Sequence, residues 1–399
     1  MLFDDRLPHK RSTERRWAIQ QGVSAHPRRD AGVWVYAPHF VGNPYQQLLM
    51  MGMPDVDIAA VGAQQYDEAV AALRSVRHVP GRVWHLHWLN RVLAYADSHA
   101  HAQQRIDHFT RQLDTMQQQG VRIVWTMHNV LPHESVFEDL EVRLRELICE
   151  RAEMIHVMNP DSVSAAAPYF RIPAEKVVRV EHPGYQGYYS RRYSRAGARA
   201  HLGIAPEEPV SLVFGGIKPY KGLLELAHMF DDIARRHPRR VNLLIAGDAG
   251  DDAGTRELLE LATAHPAIHA MPVKILPEDI WPLFLAADNT IIPYKASLNS
   301  GALVLALSMG RPVIASPTAG STHLLAGGAG RLYGSAAELE HLLLDRAWLP
   351  AAAAEAQHMA HRMRPEHVSG VFAHVARAFL DQGVAAARAA AGPDGGLDD

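Results

Sequence analysis

Two lysines, Lys218 and Lys221, lie in a segment bounded by glycines, Gly215-Gly216-Ile217-Lys218-Pro219-Tyr220-Lys221-Gly222. It follows a short apolar run, Val210 to Phe214. A second polar segment, Lys295 to Ser300, follows the β-branched run Thr290-Ile291-Ile292 and Pro293-Tyr294. Gly301 then leads into an apolar helical run, Ala302 to Met309, closed by Gly310 and Pro312. Strand, polar loop, glycine and helix is the arrangement in which free backbone N–H groups and a helix dipole meet an anion. Asn299 or Ser300 suits the N-cap, and Gly301 would let a phosphate approach the backbone closely. On either stretch alone, a plain strand-to-helix turn with solvated lysines explains the residues as well. The N-terminal half offers different chemistry. His85-Leu86-His87-Trp88 and Thr126-Met127-His128-Asn129, running on to His133 and Glu134, place imidazoles and a carboxylate at or just past the ends of apolar runs.

The elements that must position these groups alternate. Val33–Tyr36, Val56–Val61, Val83–Trp88, Arg122–Thr126 and Met154–Met158 read as strands, with helical stretches at 68–76, through to about 119, and at 138–152. The second half repeats the pattern with strands at 210–214, 241–246, 268–273, 290–292 and 313–315. Helices are predicted at 223–235, 256–264, 277–287 and 302–309. Such alternation predicts an α/β chain with parallel sheets covered on both faces. Ligands then bind beyond the carboxyl ends of the strands, where each polar segment falls. The aperiodic stretch 181–199, rich in Gly, Tyr and Arg, reads as a linker. The expected organisation is a basic extension over 1–30, a first domain at 31–180 and the linker at 181–199. A second domain follows at 200–365, then a helix at 366–391 and a tail at 392–399.

Composition narrows the classes. The 399 residues suffice for two domains, and a hydrophobic fraction of 48% with 21% charged residues is that of a globular protein. A net charge of −3 gives no overall field for nucleic acid. The single cysteine, Cys149, precludes an intramolecular disulfide and fits a reducing compartment. No apolar run approaches the roughly 20 residues of a membrane span, and the first thirty lack a signal-peptide core. The expected location is cytoplasmic, with peripheral contact at the inner membrane face as a further expectation from the basic start and the linker's Tyr and Arg. Asp248, Asp251 and Asp252 read as a Gly-rich acidic turn rather than a metal site.

The pair GGIKPYKG (215–222) and NSGALVLALSMGRPV (299–313) resembles the donor half of GT-B glycosyltransferases. HLHW (85–88) and TMHNVLPHE (126–134) resemble the inverting β-mannosyltransferases of xanthan-type exopolysaccharide assembly. The resemblance covers roughly residues 32–385 and implies two Rossmann-like domains facing a cleft. It further implies a nucleotide-sugar donor, GDP-mannose, and a polyprenyl-diphosphate-linked or other glycan acceptor. No cofactor and no metal are expected. The large retaining GT-B family carries two glutamates ahead of its Gly-x-Pro, at positions that here are Ser297 and Leu305. Their loss points to inversion.

On that resemblance Gly215, Gly216, Lys218, Lys221, Tyr294, Asn299, Ser300 and Gly301 bind the donor, with the lysines and the 299–301 amides neutralising the departing diphosphate. The segment 273–277 matches the place where the nucleotide base is held through backbone groups. Inversion needs a base on the acceptor hydroxyl. Among His87, His128, His133 and Glu134, the leading candidates are Glu134 and His128, the other orienting donor sugar or acceptor. With 24 histidines, a given one is more often structural. Asn43, Tyr45 and His87 are the expected acceptor contacts. The alternatives are a UDP-hexose-dependent transferase, a non-catalytic nucleotide- or glycan-binding partner, and a sugar-nucleotide epimerase.

Overall fold

The computed structural model describes residues 31–132 and 135–392. The chain forms two compact units: residues up to Pro183 together with those from Pro365 onward, and Gly184 to Arg364 between them. Each has a six-stranded parallel sheet.

In the first unit the strands are β1 (Gly32–Ala37), β2 (Ile58–Gly62), β3 (Gly81–Leu86), β4 (Arg122–Thr126), β5 (Met154–Val157) and β6 (Val177–Arg179). They lie in the order β2-β1-β3-β4-β5-β6, so the winding reverses between β1 and β3. Every residue of β1 is buried, as expected of a strand covered on both faces. One face is sealed by the end of the chain. Phe372, Val375 and Phe379 of helix Pro365–Gln382 join Trp34, Tyr45, Met53 and Val83 in one core. The helix predicted at 366–391 is two, broken at Gly383 (φ 90°) before Val384–Ala391. Both belong to the first unit.

The second unit holds β7 (Ser211–Phe214), β8 (Leu243–Ala246), β9 (Ile268–Met271), β10 (Asn289–Ile292), β11 (Val313–Ala315) and β12 (Gly330–Leu332). Their order, β12-β11-β10-β7-β8-β9, puts the reversal between β7 and β10. Numbered within the unit this is the 3-2-1-4-5-6 order of dinucleotide-binding sheets. The amphipathic helix Leu223–Arg236 lays Leu226, Phe230 and Ile233 on Val213, Leu243 and Ile245.

Several predicted bounds shift. Residues 184–199 are not a free linker but fold into the second unit: Tyr185 N–H donates to Ser308 Oγ (3.0 Å), and Arg195 opens a helix to His201. β3 ends at Leu86, so His87 and Trp88 lie beyond it. Val56 closes a 3-10 turn rather than opening β2. β6 and β12 escaped prediction because three-residue edge strands leave no period to read.

Candidate functional site

The two reversal points carry the polar segments. In the second unit, β7 runs into Gly215 (φ 105°), whose N–H donates to Ala246 O (2.9 Å). The loop then makes a 3-10 turn over Pro219–Lys221 and turns at Gly222 (φ 68°) into helix Leu223–Arg236. A Cβ at Gly222 would lie 2.5 Å from Pro293 O, so only glycine lets this loop press against the exit of β10. The β10 exit contributes Tyr294, buried, with its hydroxyl bonded to Ser300. Ser300, not Asn299, is the N-cap of helix Gly301–Ser308 and accepts from Leu303 N–H (3.2 Å). That helix is buried from Leu303 on, while Gly301 at its first turn is exposed.

Lys221 is held over this corner. Its Nζ lies 5.4 Å from the Tyr294 ring centroid and 3.3 Å from where a Gly215 Cβ would stand. Burial, with Lys218 adding repulsion, lowers its pKa to about 8. Neither Lys218 nor Lys221 has a carboxylate partner among the described residues, whereas Lys295 is paired with Glu225. Two ammonium groups with no carboxylate partner among the described residues, beside a glycine-rich turn, have the charge and donors that suit a phosphate-bearing ligand. The acidic turn nearby is structural: Asp252 caps helix Ala253–Ala264 through Thr255 N–H (2.9 Å), and Asp251 pairs with Arg256.

In the first unit, the loop after β1 is pinned by buried Gln46, which donates to Pro38 O (2.9 Å) and accepts from Phe40 N–H (3.2 Å). Asn43 Oδ1 accepts from Tyr45 N–H (3.1 Å), opening helix Tyr45–Leu49. Just past β3, His87 is fully buried; its Nδ1 shares a hydrogen bond with His128 Nε2 (2.8 Å). His87 Nε2 has no partner among the described residues. His128 is sandwiched by aromatics: Trp88 stacks on it at 4.1 Å, and Tyr45 meets it edge-on at 5.1 Å. Trp88 adopts φ 32°, which lets the stack form. Burial holds both imidazoles well below the usual histidine pKa, with neighbouring histidines adding to the effect. Both are therefore neutral near pH 7.

Beneath this pair a polar ladder crosses the sheet interior. Trp34 Nε1–H donates to His85 Nδ1 (2.9 Å), and His85 Nε2 meets Thr126 Oγ1 (2.6 Å). Thr126 Oγ1 in turn meets His156 Nδ1 (2.9 Å), whose Nε2 reaches Val180 O (2.9 Å). The indole can only donate and the carbonyl can only accept. With neutral rings the direction is then fixed: His85 Nε2–H donates to Thr126, and the Thr126 hydroxyl donates to His156. Every member is satisfied.

Residues 208–345 match the family model described as glycosyl transferases group 1. The chain is 27% identical over 306 residues to a GDP-mannose:glycolipid 4-beta-D-mannosyltransferase of Xanthomonas campestris pv. campestris, covering 73% of this chain and 75% of the relative. A D-inositol 3-phosphate glycosyltransferase of Nocardia farcinica is 29% identical over 159 residues, 38% of this chain and 35% of that one. Among solved structures, sucrose-phosphate synthase from Thermosynechococcus elongatus superposes with a TM-score of 0.64 at 14% identity, over 85% of this chain and 96% of that one. Anabaena HepE, solved with UDP-glucose, gives 0.63 at 16% identity, over 86% and 98%. The chain is a glycosyltransferase of the GT-B fold.

Within the transferase, Gly215, Gly216, Lys218, Lys221, Tyr294, Asn299, Ser300 and Gly301 all fall on the two loops that flank the β7/β10 reversal. Tyr294 lies beneath Lys221 rather than on the surface. Leu305 is buried in helix Gly301–Ser308, and Ser297 O accepts from Gly320 N–H. Tyr45, His87 and His128 cluster at the β1/β3 reversal, while the Asn43 side chain serves its own turn. Glu134 and His133 lie outside the described residues. Trp88, Tyr66, whose hydroxyl donates to His87 O (2.7 Å), and the Trp34–His156 ladder were missed. The alternation His85-Leu86-His87 is the one signal in the sequence, since it places both imidazoles on the same face, where their ring centroids lie 4.2 Å apart.

Proposed function

We propose that the transferase moves a hexose, mannose from GDP-mannose, onto a lipid-linked oligosaccharide with inversion at the anomeric carbon. The observation that carries this reading is the pair Lys218 and Lys221, without carboxylate partners among the described residues, on the loop that packs against Tyr294 ahead of the helix opening at Gly301. The Xanthomonas relative's own donor supports mannose, and its glycolipid acceptor supports the lipid-linked one. A departing nucleoside diphosphate gains charge in the transition state, and preorganised donors stabilise it there; losing one typically costs about 10²–10³ in rate. The segment 273–276 exposes Val273 and Leu276, an apolar edge suited to a nucleobase. Leucine at 305 leaves no carboxylate for the ribose contact of the retaining enzymes, which supports inversion.

The first unit supplies acceptor contacts and the base. His128 or Glu134 removes the acceptor hydroxyl's proton; His87 Nδ1, accepting from His128 Nε2–H, orients that ring and leaves the basic lone pair on His128 Nδ1, and His87 lines the acceptor position with Tyr45. Donor binding requires no metal, because the lysines already provide the positive charge. The transferase works at the cytoplasmic face in exopolysaccharide assembly.

A second reading, a UDP-hexose donor, is favoured by the structural likeness to HepE, solved with UDP-glucose. Calorimetry with GDP, UDP, dTDP and ADP, with and without chelator, separates the two. Chelator-insensitive binding of GDP tighter than UDP is expected; preference for UDP shifts the donor, and no nucleotide binding overturns the proposal. The anomeric configuration of the product, read by NMR, tests inversion.

A further inference from the structure

At the amino end of β10, the opposite end of that strand from Tyr294, arginines converge on one carboxylate. Asp288 accepts from Arg195 through Oδ1, and from Arg346 (2.5 Å) and Val210 N–H (2.9 Å) through Oδ2. Arg199 approaches it at 4.0 Å. Part of this is structural. Arg195 and Arg199 donate to the carbonyls of Leu285, Ala286 and Ala287, the open C-terminal end of helix Pro277–Ala286. Cations belong there.

Arg311 shares in part in the same helix end, whereas Arg191 and Arg192 do not. Arg311 reaches only Ala287 O and Met309 O, each at 3.4 Å. Arg191 is exposed and lies 5.6 Å over the Trp281 ring, and Arg192 beside it is exposed. None of Arg191, Arg192 and Arg311 pairs with a carboxylate among the described residues. Asp345, next to Arg346, faces His341 (4.0 Å) instead. Burial, with repulsion from Arg195 and Arg191 and against the pull of Asp288, lowers the pKa of Arg311. The buried Trp281 Nε1–H, under Arg191, has no acceptor among the described residues. A chain of net charge −3 thus gathers surplus cations and an unanswered N–H donor on one strip of its second unit.

We propose that Arg191, Arg192 and Arg311 form a docking face for the phosphate headgroups of an anionic lipid surface. Arg191 and Arg192 are exposed where the chain enters the unit, and Arg311 lies within electrostatic reach of Arg191. Such a strip suits many phosphates in a plane better than one ion in a cage. Guanidinium groups bind phosphate oxygens bidentately and are lightly hydrated, which suits an interface. The face rests on the reading above, in that a lipid-linked acceptor requires the transferase to work at a membrane.

The test uses the full chain and sedimentation with phosphatidylcholine vesicles, with and without phosphatidylglycerol. Wild type should partition onto the phosphatidylglycerol vesicles alone and leave them at high salt. Arg191→Glu with Arg192→Glu should lower the partition coefficient about 30-fold or more, from the contribution of each basic residue at a charged surface. Arg74→Glu with Arg77→Glu makes the same charge change on exposed sites of the first unit and should leave it within about twofold. Equal loss in both double variants would reduce the effect to net charge and overturn the face. So would absence of vesicle binding, or phosphate binding in calorimetry that Arg311→Gln abolishes without any vesicle binding. Nucleotide affinity, measured on the same samples, should be unchanged by Arg191→Glu with Arg192→Glu. If it persists while vesicle binding is absent, the docking face fails and the transferase reading stands.

Discussion

Replacing Lys221 with methionine tests the donor site most directly, because the structure predicts opposite effects on the empty and the loaded protein. Lys221 has a folded pKa of about 8 against an ordinary 10.5, chiefly from burial. A depression of that size corresponds to about 3 kcal/mol at most, at 1.36 kcal/mol per unit. The unfolded chain binds the proton more tightly, so the cost is complete below pH 8 and disappears as pH rises toward 10.5. Methionine keeps the apolar stem over Tyr294 without the charge. Lys221→Met should therefore stabilise the empty protein at pH 7 by about 1–3 kcal/mol and remove the rise in stability above pH 8. The nucleoside diphosphate needs the charged form. With a pKa of about 8, wild-type affinity should fall about tenfold from pH 7 to pH 9, accompanied by uptake of up to about one proton on binding. Calorimetry in buffers of different ionisation enthalpy reads both quantities, and denaturant titration reads the stability. Affinity that is flat from pH 7 to 9 without proton uptake would refute the placement of the diphosphate at Lys221. The same profile persisting in Lys221→Met would refute it equally.

Two further perturbations address the first unit. His85, His87, His128, His156 and His182 are all held below the ordinary histidine range by burial, His156 and His182 at about 4. Below about pH 6.5 the unfolded chain takes up protons that the native state refuses, so stability is lost as pH falls, by about 1.4 kcal/mol per unit for each histidine. Acid titration should show a steep transition with uptake approaching five protons, which His87→Gln with His128→Gln reduces by about two; uptake of one or none would contradict the buried neutral rings. Thr126→Val keeps the shape but removes both ladder bonds at its centre, leaving His85 Nε2–H and His156 Nδ1 unanswered. A loss of about 2–4 kcal/mol is expected by denaturant titration, and a change under about 0.5 kcal/mol would show that the ladder is not closed in solution.

Much of this was legible in the sequence because parallel strands buried on both faces are continuous apolar runs. Arg122–Thr126 and Val313–Ala315 were read to the residue. The loop over 215–222 was equally plain, since glycine at 215 and 222 marks backbone with positive φ that other residues resist. The N-cap at Ser300 rather than Asn299 depended on side-chain geometry that the two residue types do not distinguish. The ladder was invisible for a different reason. Trp34, His85, Thr126 and His156 come from four strands, and a polar residue inside an apolar run gives no sign of what it faces across the sheet. The return of 365–391 to the first unit was hidden likewise. An Ala-rich helix with apolar spacing states that it has a buried side, not which sheet it will bury it against.

That return shapes how the protein is made. Synthesis delivers β1 to β6 first, but the side chains that close their face, Phe372, Val375 and Phe379, leave the ribosome only after the whole second unit. Until then Trp34, Met53 and Val83 have no cover from that side. The second unit, by contrast, is one uninterrupted segment and can finish folding while the first still waits. A nonsense codon between Arg364 and Phe372 would release a chain whose second unit is complete and whose first is open to aggregation and proteolysis. Because its closing helix follows the second unit in the chain, the native state of the first unit reports that the second has already been made.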